Sequence, residues 1–119
     1  MHELSLMQSV LDSVEESAAR AGATRVYEVR LKIGEMTEVV DEALRFAFEC
    51  LTPGTLLEGA ELVCDYVEPR SHCFACGADY THDRFHVSCP ACGSIQTTIT
   101  QGKELYIDSI EAELPDEGD

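Results

Sequence analysis

Cys73-Phe74-Ala75-Cys76-Gly77 and Cys89-Pro90-Ala91-Cys92-Gly93 are two copies of C-x-x-C-G, with twelve residues between Cys76 and Cys89. Each pair is expected to fold as a tight knuckle, in which the glycine lets backbone amides turn toward the sulfurs. Two facing knuckles then give tetrahedral thiolate coordination. Four thiolates suit zinc or an iron–sulfur centre, and the turn-bounded spacing favours zinc. Such a shell keeps no open position, so the expected role is structural rather than catalytic. A redox dithiol would need one exposed thiol of low pKa near a helix start, and two matched pairs argue instead for a shared ion.

The knuckles lie within Arg70–Gly102, which holds four of the six cysteines and three of the four histidines. These 33 residues fall below the ~40 at which a chain needs a disulfide, metal or oligomer to stay folded. Apparent zinc free energies of roughly 10–16 kcal/mol are ample for that purpose. His72 abuts the first knuckle, and His82 and His86 lie between the two. They read as solvated loop residues that donate to zinc-bound sulfur, or as alternative ligands that exchange with a thiolate when pH or a second metal changes.

Outside this insertion the chain reads as one α+β domain. Leu4, Met7, Leu11, Val14 and Ala18 recur at steps of three and four, predicting a helix that Gly22 ends. Arg25–Ile33 alternates as a strand, with Tyr27, Val29, Leu31 and Ile33 on one side and Gly34 closing it. Thr37 is then expected to cap a second helix that buries Val40, Leu44, Ala47, Phe48 and Leu51 and stops at Pro53-Gly54. Two more strands are predicted at Glu61–Val67 and from Glu104 to Leu114, the last with a bulge near Asp108-Ser109. Cys50 and Cys64 fall on apolar faces and read as small core residues. The expected architecture is two helices packed on a small three-stranded sheet with an inserted zinc-ribbon-like module of four cysteines. Residues 1–69 plus 103–114 make the α+β domain, 70–102 the zinc module, and 115–119 a disordered acidic tail.

The chain has 119 residues and a net charge of −15, from 8 Lys and Arg against 23 Asp and Glu. That length holds one principal core and excludes a multi-domain enzyme. The charge repels a phosphate backbone, and the few cations are scattered, so nucleic acid is not an expected partner. No stretch approaches the ~18–20 apolar residues of a membrane span, and the first twelve residues carry acids without a basic flank, which reads as cytoplasmic. No H-E-x-x-H or H-x-E motif accompanies the cysteines, so neither a zinc hydrolase nor any other enzyme is expected.

The amino terminus adds a second metal chemistry. The chain opens Met1-His2-Glu3, directly before the helical stripe. A bulky second residue discourages removal of the initiator methionine, so the α-amine stays on Met1. That amine, the deprotonated His2 amide and the His2 imidazole close a five-membered and a six-membered chelate ring. The Glu3 amide, the Glu3 carboxylate or water fills the fourth corner. Tetragonal nitrogen and oxygen donation suits nickel(II) or copper(II).

The opening Met1-His2-Glu3-Leu4-Ser5-Leu6-Met7-Gln8-Ser9, the strand Val29-Arg30-Leu31-Lys32-Ile33-Gly34-Glu35 and the paired knuckles before a last strand together resemble the HypA/HybF family of nickel metallochaperones. The resemblance covers about residues 1–114. It implies a nickel site at Met1, His2 and Glu3, with Ni(II) the transferred ion, and a structural zinc at Cys73, Cys76, Cys89 and Cys92. It also implies delivery to the large subunit of a [NiFe]-hydrogenase with a HypB-family GTPase, and service to urease maturation proteins in some relatives. Some relatives place a histidine beside each C-x-x-C pair, whereas here only His72 does so and Ser94 stands beyond Gly93. The competing reading is a zinc-ribbon adaptor that mediates protein–protein contacts without nickel transfer. Monomer and homodimer, including a dimer that exchanges segments, are both compatible with the sequence. The exposed Gln8, Asp12 and Glu15 of the first helix are the expected GTPase contact.

Overall fold

The computed structural model describes residues 2–115. It is α+β, with elements in the order α1 (Glu3–Arg20), β1 (Arg25–Gly34), α2 (Asp41–Leu51), β2 (Glu61–Val67), β3 (Arg70–Cys73), β4 (Asp79–Thr81), β5 (Thr97–Gln101) and β6 (Leu105–Glu113). Three strands form a sheet in the order β2-β1-β6, and three short ones form a second in the order β4-β3-β5. The chain divides into two compact units. The first comprises residues up to Leu31, Val39–Cys64 and residues from Ile107 onward, and the second Lys32–Glu38 and Asp65–Tyr106. The division thus falls inside β1, β2 and β6, and the ends of those strands group with the cysteine-bearing segment.

In the first unit α1 packs on α2. The buried stripe of α1 is Met7, Leu11, Val14 and Ala18. Leu4, expected at its start, is exposed instead. Gly22 does end this helix: its φ is +72°, and the amides of Gly22 and Ala23 turn back to the carbonyls of Ala19 and Ala18. Val26, Val29 and Leu31 complete the core with Leu44, Ala47, Phe48, Leu57 and Leu62.

Three local expectations are corrected. Tyr27 turns out of the β1 apolar face and Val26 takes the buried place. An outward Tyr27 keeps its polar end satisfied, since its hydroxyl donates to Glu113 at 3.0 Å and the Arg25 guanidinium lies 5.2 Å from its ring. Thr37 does not cap α2. Its hydroxyl donates to the Gly34 carbonyl at 2.8 Å, closing a 3-10 turn at Glu35–Thr37, and Glu38 follows with a φ of +61°. A residue in that left-handed region cannot continue a helix, so α2 starts at Asp41 with an exposed Val40 as its N-cap. Cys50 is exposed and Cys64 half-buried. Cys50 lies four residues beyond the exposed Phe46, on the α2 face opposite Leu44 and Phe48.

The phase change expected at Asp108-Ser109 is present, because these are two consecutive exposed positions in an otherwise alternating β6. In the second unit β3 pairs antiparallel with both neighbours, His72 opposite Asp79 on one side and Cys73 opposite Thr97 on the other. The register shifts between Arg70 and Ser71 on the β5 side. Gly34 crosses Gly102 so closely that a Cβ on Gly34 would lie 2.0 Å from the Gly102 carbonyl oxygen. The terminal residues 116–119 of the expected acidic tail lie outside the described residues.

Candidate metal centre

The two knuckles are the same loop built twice. The Gly77 amide donates to the Cys73 carbonyl at 2.9 Å, and the Gly93 amide to the Cys89 carbonyl at 2.7 Å. The Cys73 and Cys89 amides in turn donate to Ala78 and Ser94, at 2.8 and 3.0 Å. Each loop needs a left-handed residue at its fifth position, and the φ values of +79° at Gly77 and +73° at Gly93 supply it. β3 delivers Cys73 at its end, and β5 begins just past the second knuckle.

These loops bring Cys73, Cys76, Cys89 and Cys92 together, with all four Sγ atoms within 4.8 Å of one another. The Sγ atoms of Cys73 and Cys92 are 3.6 Å apart, as are those of Cys76 and Cys89. A disulfide needs ~2.05 Å, whereas a tetrahedron with Zn–S bonds of ~2.3 Å has edges of about 3.8 Å. The four cysteines therefore form a metal site whose donor set and spacing fit zinc. Cys73 and Cys89 are buried and Cys76 and Cys92 exposed, so one sulfur of each knuckle faces inward.

Without an ion the four thiols cannot share their protons evenly. Burial opposes ionisation of Cys89, but the Cys92 and Ala91 amides and the neighbouring thiols outweigh it and bring its pKa down to about 7. The Ser94 amide favours a Cys92 thiolate, yet the hydrogen bond with Cys73, burial and the Cys76 and Cys89 sulfurs push it up to about 12. Cys76 is also raised: the Ala78 amide favours its thiolate, while the Cys89 sulfur and burial outweigh that. A divalent cation is what permits four thiolates to coexist at this spacing.

Among the described residues no histidine joins this cluster. His72 Nδ1 pairs with Asp79 at 2.9 Å, and His86 Nδ1 reaches both Asp83 carboxylate oxygens at 2.7 and 2.8 Å. The His82 ring spans the Ser71 hydroxyl, 2.7 Å from Nε2, and the Asp83 carbonyl beside Nδ1. A carbonyl only accepts, so in the neutral ring Nδ1 carries the proton and Nε2 accepts from Ser71.

Of the amino-terminal candidates, Met1 lies outside the described residues. His2 is exposed and is the N-cap of α1, with Glu3 the first helical residue. The first bond of the helix runs from the Leu6 amide to the His2 carbonyl at 3.0 Å, so the His2 and Glu3 amides stand outside the ladder. The Glu3 carboxylate accepts from the Val40 amide at 3.3 Å. Its pKa is held below the ordinary 4.5 by its own amide and that of Val40. His2 and Glu3 border a groove of about 360 Å³ whose lining includes Leu4, Phe46 and Cys50. Neither the Val40 contact nor the groove carries a signal in the linear sequence, because both need α1 and α2 side by side. On the outer face of α1, Gln8 donates to Asp12 at 3.0 Å and both are exposed, while Glu15 is half-buried.

Comparison with known proteins agrees with this geometry. Residues 1–112 match the family described as "Hydrogenase/urease nickel incorporation, metallochaperone, hypA". A hydrogenase maturation factor HypA from Geobacter metallireducens is 42% identical over 113 residues, spanning 95% of this chain and 100% of the relative. One from Chlorobium luteolum is 39% identical over 110 residues, spanning 92% and 94%. The solution structure of the Ni metallochaperone HypA from Helicobacter pylori superposes with a TM-score of 0.68 at 26% identity, over 97% of this chain and 100% of that one. The chain belongs to the HypA family of hydrogenase maturation factors, which are nickel metallochaperones and not enzymes.

Proposed function

We propose that this chain binds Ni(II) at its amino terminus and delivers it during maturation of [NiFe]-hydrogenase. The donors are the Met1 α-amine, the His2 amide nitrogen and imidazole, and Glu3 through its amide or carboxylate. The observation that carries this reading is the start of α1, where the His2 and Glu3 amides lie outside the helical ladder beside an exposed imidazole. A helix N-terminus favours negative charge, so amide deprotonation is eased there, and bound nickel replaces the protons released. Protonation of the amine, amide and imidazole reverses the step, giving release that depends on pH and on partner contact. Cys73, Cys76, Cys89 and Cys92 hold Zn(II), which keeps residues 70–102 folded and supplies no reaction. The partners are a HypB-family GTPase, met on the Gln8, Asp12 and Glu15 face of α1, and the hydrogenase large subunit. Urease maturation proteins are a second destination, all in the cytoplasm.

The test is nickel titration of zinc-loaded protein with its native terminus, beside His2→Ala and a form with two extra amino-terminal residues, read by calorimetry and visible absorption. One nickel per chain in the wild type and none in either altered form is expected. Equal binding by all three overturns the reading in favour of a zinc-ribbon adaptor that transfers no nickel.

A further inference from the structure

Helix α2 carries two apolar faces. Leu44, Ala47 and Phe48 are buried in the first unit. Ala43, Phe46, Ala47 and Cys50 repeat at i, i+3, i+4 and i+7, the spacing of one helix face, and line the groove of about 360 Å³ that Leu4 of α1 also lines. All five belong to the first unit. The two large side chains stand in solvent, Phe46 at 67% and Leu4 at 59% exposure. They gain nothing in folding there, so an apolar helix stripe left open on a groove marks an interaction site. The small Ala43 and Ala47 let a neighbouring backbone come close, as packed helices require. The charges around the stripe are one-sided. Glu42 and Glu49 are exposed and lie four residues before and three after Phe46, so both are its neighbours on the helix surface. Among the described residues neither makes an ion pair. Glu3 borders the same groove. The cation of this helix, Arg45, is committed elsewhere: its Nε donates to Asp41 and its Nη1 to the Leu62 carbonyl, both at 3.0 Å.

We infer that the groove between α1 and α2 seats a basic amphipathic helix of a partner protein, with its apolar stripe on Leu4 and Phe46 and its Lys or Arg flanks on Glu42, Glu49 and Glu3. The helical repeat of the lining calls for an occupant with the same repeat, and the acidic rim calls for cations beside it. A second copy of this chain meets the first requirement and fails the second, because its groove would bring Glu42 and Glu49 against the same two residues. Since His2 and Glu3 border the groove, the seated helix lies beside the nickel donors. The docking itself does not depend on nickel; its place beside the nickel donors rests on the function proposed above.

The probe is a synthetic peptide about 18 residues long, enough to be helical, with leucines at helical spacing and lysines on both flanks. It is labelled for fluorescence anisotropy and titrated with the full zinc-loaded chain free of nickel. The wild type should bind it, and Phe46→Gln should weaken binding about tenfold or more, as for the loss of an aromatic anchor. Glu42→Lys/Glu49→Lys should weaken it about tenfold at about 50 mM NaCl and much less at about 500 mM, because exposed charge pairs are screened. These positions are exposed, so both variants should keep their zinc and their circular dichroism, which shows that they are folded. At about ten times its dissociation constant the peptide should slow alkylation of Cys50 by iodoacetamide about tenfold, by mass action, as mass spectrometry would read. A wild type that does not bind the peptide, binding unaffected by Phe46→Gln, or an unprotected Cys50 overturns the inference. Equal binding of a peptide with glutamates in place of the lysines overturns the basic helix. Self-association by sedimentation that Phe46→Gln abolishes gives the groove to a second copy and overturns the partner. A His2→Ala protein that still binds nickel overturns the nickel donors beside the groove, while the peptide result alone decides the docking.

Discussion

Gly34→Ala places a methyl group where the backbone leaves no room. The added Cβ would stand 2.0 Å from the Gly102 oxygen, 2.1 Å from its carbonyl carbon and 2.6 Å from the Lys103 nitrogen. All three are main-chain atoms, so no rotamer change relieves the clash, and ordinary contact at 3.4 Å requires a retreat of 1.4 Å for the oxygen. That retreat breaks or stretches the Gly34 amide bond to Glu104, 2.6 Å, and the Met36 amide bond to Gly102, 2.8 Å. Two such bonds are worth roughly 0.5–1.5 kcal/mol each, and overpacking adds about 1–3 kcal/mol, for a loss near 4 kcal/mol. Gly34 itself has φ −73° and ψ 140°, which alanine adopts freely, so the loss is steric. Gly54→Ala is the control: its φ is +81° with nothing within 4 Å of an added Cβ, and the cost there is conformational alone, about 1–2 kcal/mol. Urea unfolding of the zinc-loaded proteins, followed by far-ultraviolet circular dichroism, measures both. If Gly34→Ala costs no more than Gly54→Ala, the crossing of Gly34 and Gly102 is not the close approach described.

Removal of the metal by a chelator, or Cys76→Ser, should abolish amide exchange protection across β3, β4 and β5 while leaving α1 and α2 protected, as mass spectrometry would record. Metal free energies of roughly 10–16 kcal/mol have no counterpart in three short strands whose fully buried side chains include only Ser71 and Cys73. The Glu3 carboxyl should titrate below 4.5, with the Val40 amide resonance following the same midpoint. A pKa lowered in the folded state adds stability above the unfolded value and loses it as pH falls through the folded one. The Glu3 link between α1 and α2 is therefore intact at neutral pH, and a midpoint at or above 4.5 would contradict it. Met7→Ala should cost about 2–5 kcal/mol in the same urea assay, since Met7 is fully buried in the first unit, with one zinc per chain retained.

Much of this was legible in the linear chain, for physical reasons that differ from element to element. The metal site was legible because coordination needs donors at short fixed spacing. Two C-x-x-C-G loops carry four sulfurs and both left-handed glycines within a few residues of sequence. Helix α1, the outline of β1 and β2, and the phase change in β6 were legible because burial imposes periods of 3.6 and 2 on side chains. Strands β3, β4 and β5 were not, since three to five residues with polar alternation carry no such period, and pairing and the metal hold them in place.

What only the tertiary structure decided turns on contacts between residues distant in sequence. Thr37 is a good helix cap by composition, but the chain around it is held by the Met36 amide at Gly102, which puts Glu38 in a left-handed turn and moves the helix start to Asp41. Tyr27 has the right period for the core, but Glu113, 86 residues away, offers its hydroxyl an acceptor outside. Cys50 has the sequence position of a core residue, yet it lies exposed in the groove that His2 and Glu3 border. Local chemistry determined which residues can bind metal and which segments can be helices. Long-range hydrogen bonds and close backbone approach decided where those segments begin and which apolar side chains stay outside.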